Sequence, residues 1–242
     1  MAEQQTTVPE TGPRRFRPGW QMGLFVALLL PVTTALGFWQ LARAAEKERL
    51  DAAYVDSQAS FPASLAALDL DRPFQRVEFD GEYEPNHFLI DNQIHAGQVG
   101  YRVVTPLRVA DGRRFLIDRG WIPAPSLRSA LPTVDTPPGP VRVVGSLWRD
   151  MGMTPLWGED VWNAGWPKRI QRLDVERAAG LLPGTVPVEV RIEAGSPGAL
   201  VPTSSAPVIT AAIHYGYAVQ WFGLAVALLV LFVVFGIRQG RR

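Results

Sequence analysis

His214, Tyr217, Gln220 and Trp221 crowd the start of "HYGYAVQWFGLAVALLVLFVVFG" (214–236), a stretch whose remainder is apolar enough for lipid. Near the other end of the chain, "LGFWQLARAAEK" (36–47) sets Trp39, Gln40, Arg43 and Lys47 at the close of a second apolar run. On helices, Leu36, Gln40, Arg43 and Lys47 share one stripe, and His214, Tyr217, Ala218, Trp221, Leu224 and Ala225 share another. A belt of Trp and Tyr is the ordinary anchor at a membrane surface and accounts for Tyr215, Tyr217 and Trp221. It does not account for His214 or Gln220. Imidazole at that depth is either simply hydrated or a ligand to a haem iron, and Arg43 can pair with a carboxylate such as a propionate.

Other chemistry is scarce. The chain has no cysteine, which excludes disulfides, thiolate metal sites, thiol nucleophiles and haem attached through Cys-x-x-Cys-His. His87 and His95 share strand parity, but a continuous strand would hold them about 26 Å apart, so both are expected at the surface. There is no Gly-x-Ser-x-Gly, His-Glu-x-x-His or phosphate-loop motif, and the pattern is that of a non-enzyme. Residues 43–213 carry 18 Lys+Arg against 21 Asp+Glu, a balance that offers no basic patch and argues against nucleic acid as a partner.

The elements that must hold these residues can be read from hydropathy and period. Hydrophobic residues make up 47% of the chain, and the excess over a soluble protein lies at the two ends. No charge falls between Arg17 and Arg43, and residues 20–41 as helix would cover about 33 Å, enough for a hydrocarbon core of about 30 Å. Residues 214–237 form the second span. A cleaved signal peptide is the rival for the first, but the run is long and "FWQLAR" resembles a membrane edge, so a retained anchor is expected. Lys and Arg around the first span tie; Arg238, Arg241 and Arg242 follow the second, with no basic residue from 194 to 237. Both termini (1–19 and 238–242) are therefore expected in the cytoplasm and residues 42–213 outside it.

Within that external segment, alanine-rich residues 42–58 should prolong the first helix. Then the period changes to two. "RVEFDGEY" sets Val77, Phe79 and Tyr83 against Arg76, Glu78, Asp80 and Glu82, and "VPVEVRIE" sets Val186, Val188, Val190 and Ile192 against Glu189, Arg191 and Glu193. Such alternation predicts antiparallel sheet, barrel-like or open, with one wet face carrying the carboxylates. "FLIDNQI", "YRVVTPLRV", "RRFLIDRGW" and "VRVVGSLW" add strands, and Asp111-Gly112 predicts a type I′ hairpin turn. "LDVERAAGLL" predicts a helix before the last strand. The proline-rich residues 123–140 should be extended and exposed. Residues 148–167 contain Trp148, Trp157, Trp162 and Trp166; these either close one end of the sheet or form a surface for a partner or the membrane.

Three of these motifs, in order, resemble the Surfeit-locus family of membrane proteins. "LGFWQLARAAEK" fits its first-helix signature; "GYRVVTPL" (100–107), "DG" (111–112) and "DRGWIP" (118–123) resemble its central hairpin; "HYGYAVQWFGLA" (214–225) fits the opening of its second helix. Two positions depart from the pattern. Asp118 stands where asparagine is usual and should be tolerated in a turn; Ala212 replaces another asparagine and should leave His214 without a hydrogen-bonding neighbour.

The resemblance implies a bacterial plasma-membrane (inner-membrane) α+β protein with two terminal transmembrane helices, a periplasmic β-domain and a role in assembling cytochrome c oxidase. It implies haem a as the bound group, His214 as its axial ligand, and Trp39, Gln40, Arg43, Tyr217 and Trp221 around it. The partners implied are oxidase subunit I, a haem a synthase and the lipid bilayer, with Trp157, Trp162 and Trp166 as a candidate docking surface. Two other readings stay open: a cofactor-free membrane chaperone, and an external sensor or scaffold domain that uses the tryptophan loop.

Overall fold

The computed structural model describes residues 16–148, 160–203 and 211–240. They divide into two compact units, residues 1–49 with 207–242 and residues 50–206.

The first unit is a pair of helices. Helix α1 runs Trp20–Ala59, its last turns belonging to the second unit, and α3 runs Ala211–Gln239. Both are long and apolar enough to cross a membrane, and they leave Leu24, Phe25, Leu28, Val32, Val219, Leu224, Val226 and Leu231 exposed. A water-soluble helix would bury such residues; on a lipid-facing helix they are in their proper solvent. As the alanine-rich composition predicts, α1 continues without a break through residues 42–58.

The second unit is built on eight strands: β1 Ala63–Ser64, β2 Arg76–Tyr83, β3 Phe88–His95, β4 Gln98–Val109, β5 Arg114–Pro123, β6 Pro140–Trp148, β7 Lys168–Ile170 and β8 Thr185–Ile192. Five of them close a ring, β2–β6–β8–β5–β4 and back to β2. Its interior is filled by alternate residues of all five, among them Phe79, Leu107, Phe115, Ile117, Leu147 and Val190. The expected alternation in β2 holds: Val77, Phe79 and Tyr83 are buried. The expected antiparallel pairing is only part of the picture, because β5 and β8 run parallel, as do β1–β2 and β3–β7. The ring explains the first of these: five strands cannot alternate direction all the way round a closed barrel.

A second layer covers the outside. Helix α2, Val175–Leu181, is capped by Asp174, which accepts a hydrogen bond from the Arg177 amide at 2.9 Å. As predicted, it precedes the last strand, and with Leu173 and Leu182 it covers Phe88, Ile90, Val104, Leu116 and Ile170. The proline-rich segment is not simply exposed. Leu131 and Val134 lie against Leu89, Tyr101 and Val103, because the outer face of β3 and β4 is itself apolar there and needs a cover.

The turns also differ from expectation. Asp111-Gly112 is not a type I′ turn: only Gly112 has positive φ (+88°), and the Gly112 amide bonds to Val109 O while the Val109 amide bonds to Arg113 O. This is a three-residue loop, a turn followed by a left-handed glycine, with Asp111 Oδ1 accepting from the Arg113 amide. The primed two-residue turn instead joins β3 to β4, where Ala96 (φ 48°) and Gly97 (φ 79°) lie between the paired His95 and Gln98. Alanine is an uncommon residue in that conformation, so the sequence pattern hid it.

Candidate functional site in the helix pair

Helices α1 and α3 are antiparallel. Phe16 meets Phe232 edge-on at 5.4 Å and the Arg17 amide bonds to Gly236 O, while far along α1 Gln40 and Glu48 meet His214 and Tyr215. Small residues let the helices approach. Ala211, Ala218 and Ala225 recur every seven residues on α3 and are buried, as are Gly37 and Ala44 on α1. Gly37 is required sterically: a Cβ there would stand 2.7 Å from the Phe222 ring.

On this seam His214 Nδ1 lies 2.7 Å from Gln40 Oε1. The bond corrects the expectation that His214 lacks a neighbour; the partner comes from the other helix, not from position 212. A carbonyl oxygen only accepts, so Nδ1 carries the proton and Nε2 keeps its lone pair. Metal-bound histidines are oriented in this way, with the second nitrogen held by an acceptor. Nε2 has no hydrogen-bond partner among the described residues, so this imidazole could hold a haem iron.

The other expected site residues are placed less decisively. Trp39 and Tyr217 are about half exposed and Trp221 is partly buried. Arg43 forms an ion pair with Glu46 one turn away, at 2.5 Å. Among the described residues no hydrogen bond, ion pair or ring contact links these four side chains to His214, whereas Gln40 is bonded to it directly. Sequence reasoning missed the second interhelical bond, from the Tyr215 hydroxyl to Glu48 Oε1 at 2.9 Å. The sevenfold spacing of Ala211, Ala218 and Ala225 was the signal that could have shown which face of α3 meets α1.

In the barrel unit Asp80 and Glu82 of β2 lie on a wet face as expected, but a second group of titratable residues does not. Asp118 lies within β5, not in a turn, and its side chain is 1% exposed. Arg102 Nη1 donates to Asp118 Oδ2 at 2.9 Å and to Glu189 Oε1 at 2.6 Å, and Arg191 Nε donates to Glu189 at 2.7 Å. Glu189 and Arg191 do alternate with the inward-facing Val188 and Val190, but the outer surface they occupy is covered. Burial raises the Asp118 pKa, offset in part by Arg102; burial works the same way on Glu189, but Arg102 and Arg191 prevail and hold it low. Arg102 loses by burial and gains more from Glu189 and Asp118, so its pKa is raised.

The other two histidines also depart from expectation. His87 is partly buried, 3.0 Å from Thr105 Oγ1, and burial, helped by the Arg119 charge, pushes its pKa down to about 4. His95 is partly buried and lies 5.2 Å from the Trp121 ring. Of the tryptophan loop, Trp157 falls outside the described residues. Trp148 is core, against Phe74 at 4.8 Å. Trp162 and Trp166 both meet Phe88 edge-on, at 5.6 and 5.0 Å, and Arg177 stacks on Trp162; Trp166 stays partly exposed.

Fold and site together define a class: a small β-barrel unit whose sequence is flanked by two helices of membrane-crossing length, with His214 bonded to Gln40 on the helix seam. The SURF1 family model matches residues 27–226, which take in most of α1, the whole barrel unit and the first half of α3, and the chain belongs to that family. A SURF1-like protein of Rickettsia felis is 27% identical over 223 residues, covering 88% of this chain and 95% of its own. A SURF1-like protein of Monosiga brevicollis is 25% identical over 240 residues, covering 91% and 90%. One from Dictyostelium discoideum reaches 31% over 113 residues, less than half of either chain.

Proposed function

We propose that this chain is an assembly factor, not an enzyme, for a haem–copper cytochrome c oxidase. It is anchored in the bacterial plasma membrane by α1 and α3, with the barrel in the periplasm, and carries haem a as cargo for subunit I, received from a haem a synthase. The observation that supports the reading is the His214–Gln40 bond at 2.7 Å, which orients the imidazole and leaves the Nε2 lone pair to hold an iron. Tyr217 and Trp39 supply exposed aromatic surface near the same helix ends, beside the partly buried Trp221, and Arg43 would exchange Glu46 for a propionate.

The test is the optical spectrum of the detergent-purified protein made together with a haem a synthase. A Soret band is expected in the wild type, lost or shifted in His214→Ala and unchanged in His95→Ala. Gln40→Leu should lower occupancy about 10–100-fold while the protein still accumulates, the usual effect of removing a second-sphere partner. A wild type without haem absorbance would overturn the reading.

The seam itself favours a second reading. Two interhelical hydrogen bonds and a row of alanines are also what a chaperone uses to present a stable helix pair to a membrane partner without any cofactor. Co-purification of oxidase subunits with a haem-free His214→Ala protein would select it.

A further inference from the structure

Beside the buried ion cluster, the barrel unit holds a cavity of about 350 Å3 lined by Tyr54, Asp118, Arg119, Ser146, Trp148 and Arg191 among others. Its construction is specific. In an unbroken strand, Asp118 and Arg119 would point to opposite faces. Here Val104 pairs with Asp118 and Val103 with Gly120, so Arg119 is the extra residue of a bulge and both neighbours reach the same cavity. Gly120 makes the bulge possible: its φ is +111°, and a Cβ there would lie 2.4 Å from Val201 O.

Arg191 is held as a ligand-binding arginine would be. Its guanidinium stands over the Trp148 ring, 3.7 Å from the centroid. Its Nε is taken by Glu189 at 2.7 Å and lies 3.6 Å from Asp118. Neither Nη has an acceptor among the described residues, so the outer fork is left over, on a planar group already fixed by a ring and two carboxylates. Arg102 and Arg191 face Asp118 and Glu189, and the adjoining Arg76 and Glu193 form a two-point pair of their own. Arg119 is taken up elsewhere, by Gly198 O, Asp135 O and Thr136 Oγ1, with the Asp135 charge nearby and its guanidinium over the Tyr83 ring. The outer fork of Arg191 is therefore the donor pair that an anion could meet.

We propose that this cavity binds an oxyanion, a carboxylate or a phosphate group, gripped through two oxygens by the paired Nη groups of Arg191, with the hydroxyls of Tyr54 and Ser146 as further donors. Both anions match the fork of a guanidinium, and the stacking on Trp148 keeps that fork flat. No residue of the His214 site takes part, so this binding and haem occupancy are separate readouts.

The probes are inorganic phosphate and acetate, titrated into the detergent-purified full-length protein against chloride at equal ionic strength. One or both should raise Tm saturably, by about 3–6 °C at ten times Kd; which one does so identifies the anion class. Arg191→Lys keeps a charge for Glu189 and Asp118 but loses the fork, and should weaken binding at least about tenfold. Tyr54→Phe removes only a hydroxyl and should weaken it about threefold. Should Arg191→Lys fail to fold, the wild type alone decides: the bound anion must slow modification of Arg191 by butanedione, read by mass spectrometry. No stabilisation by either ion, equal binding by a folded Arg191→Lys, or unprotected Arg191 would each overturn the proposal.

Discussion

A carboxylate in the wall of a small barrel is stable only in company. Asp118 and Glu189 both lean on Arg102, whose single Nη1 serves the two of them. Arg102→Met should therefore cost about 3–5 kcal/mol in thermal or denaturant unfolding, because it takes the nearest cation from buried Asp118 and leaves Glu189 with Arg191 alone. Arg113→Met breaks an exposed pair with Asp111 and should leave stability nearly unchanged. Equal effects would mean that the cluster is not buried in solution. His87 gives a pH test at the same scale. Its folded pKa is about 4 against 6.5 for the free side chain, so between those values the unfolded chain takes up a proton that the folded one resists. Stability contributed by the neutral ring is complete above about pH 6.5 and is lost as pH falls toward 4. The ring is only partly buried and partly screened, so the loss is about 1–2 kcal/mol. His87→Asn should remove that part of the acid slope; an unchanged slope would show that the ring is charged in the fold.

At the scale of elements, the turns discriminate between what was readable and what was not. Ala96 adopts a left-handed conformation that glycine accepts without strain, so Ala96→Gly should raise stability by about 0.5–1 kcal/mol. Gly112→Val should lower it by at least about 1 kcal/mol, and Asp111→Gly should also lower it, because Asp111 has no positive φ to relieve and loses its bond to the Arg113 amide. Stabilisation by Asp111→Gly would restore the turn that the sequence suggests. Much of the barrel was legible because each strand repeats with period two: Val77, Phe79, Val188 and Val190 declared their face. Ring closure and the bulge at Arg119 were not, since both depend on partners far along the chain that no local pattern names. The same limit applied to Glu189 and Asp118. Alternation shows which side of a strand a residue takes, not whether that side is covered. At the candidate site the residue types were legible, while the bond from His214 to Gln40 spans 174 positions and emerges only from helix pairing.

For the whole molecule the decisive fact is that α1 and α3 run antiparallel along one seam. Residue 16 lies beside residue 232, and Gln40 lies beside His214, so the two outer ends of the pair share one side of any membrane they cross. Which side is a question of charge. Around α1 the basic residues balance, Arg14, Arg15 and Arg17 before the span against Arg43, Lys47 and Arg49 after it. Around α3 they do not: Arg238, Arg241 and Arg242 follow the span, and the stretch 194–237 has no Lys or Arg. Basic residues near a span are retained in the cytoplasm, so α3 sets the orientation of both helices. A reporter active only outside the cytoplasm should be silent when fused at Gln5 or after Arg242, and active when inserted at Ser129, in the exposed part of the proline-rich segment. Replacing Arg238, Arg241 and Arg242 together by Gln removes the bias and should give a mixed population, since the seam holds the helices antiparallel in either orientation. An active fusion after Arg242 in the wild type would overturn the topology and, with it, a periplasmic position for the barrel.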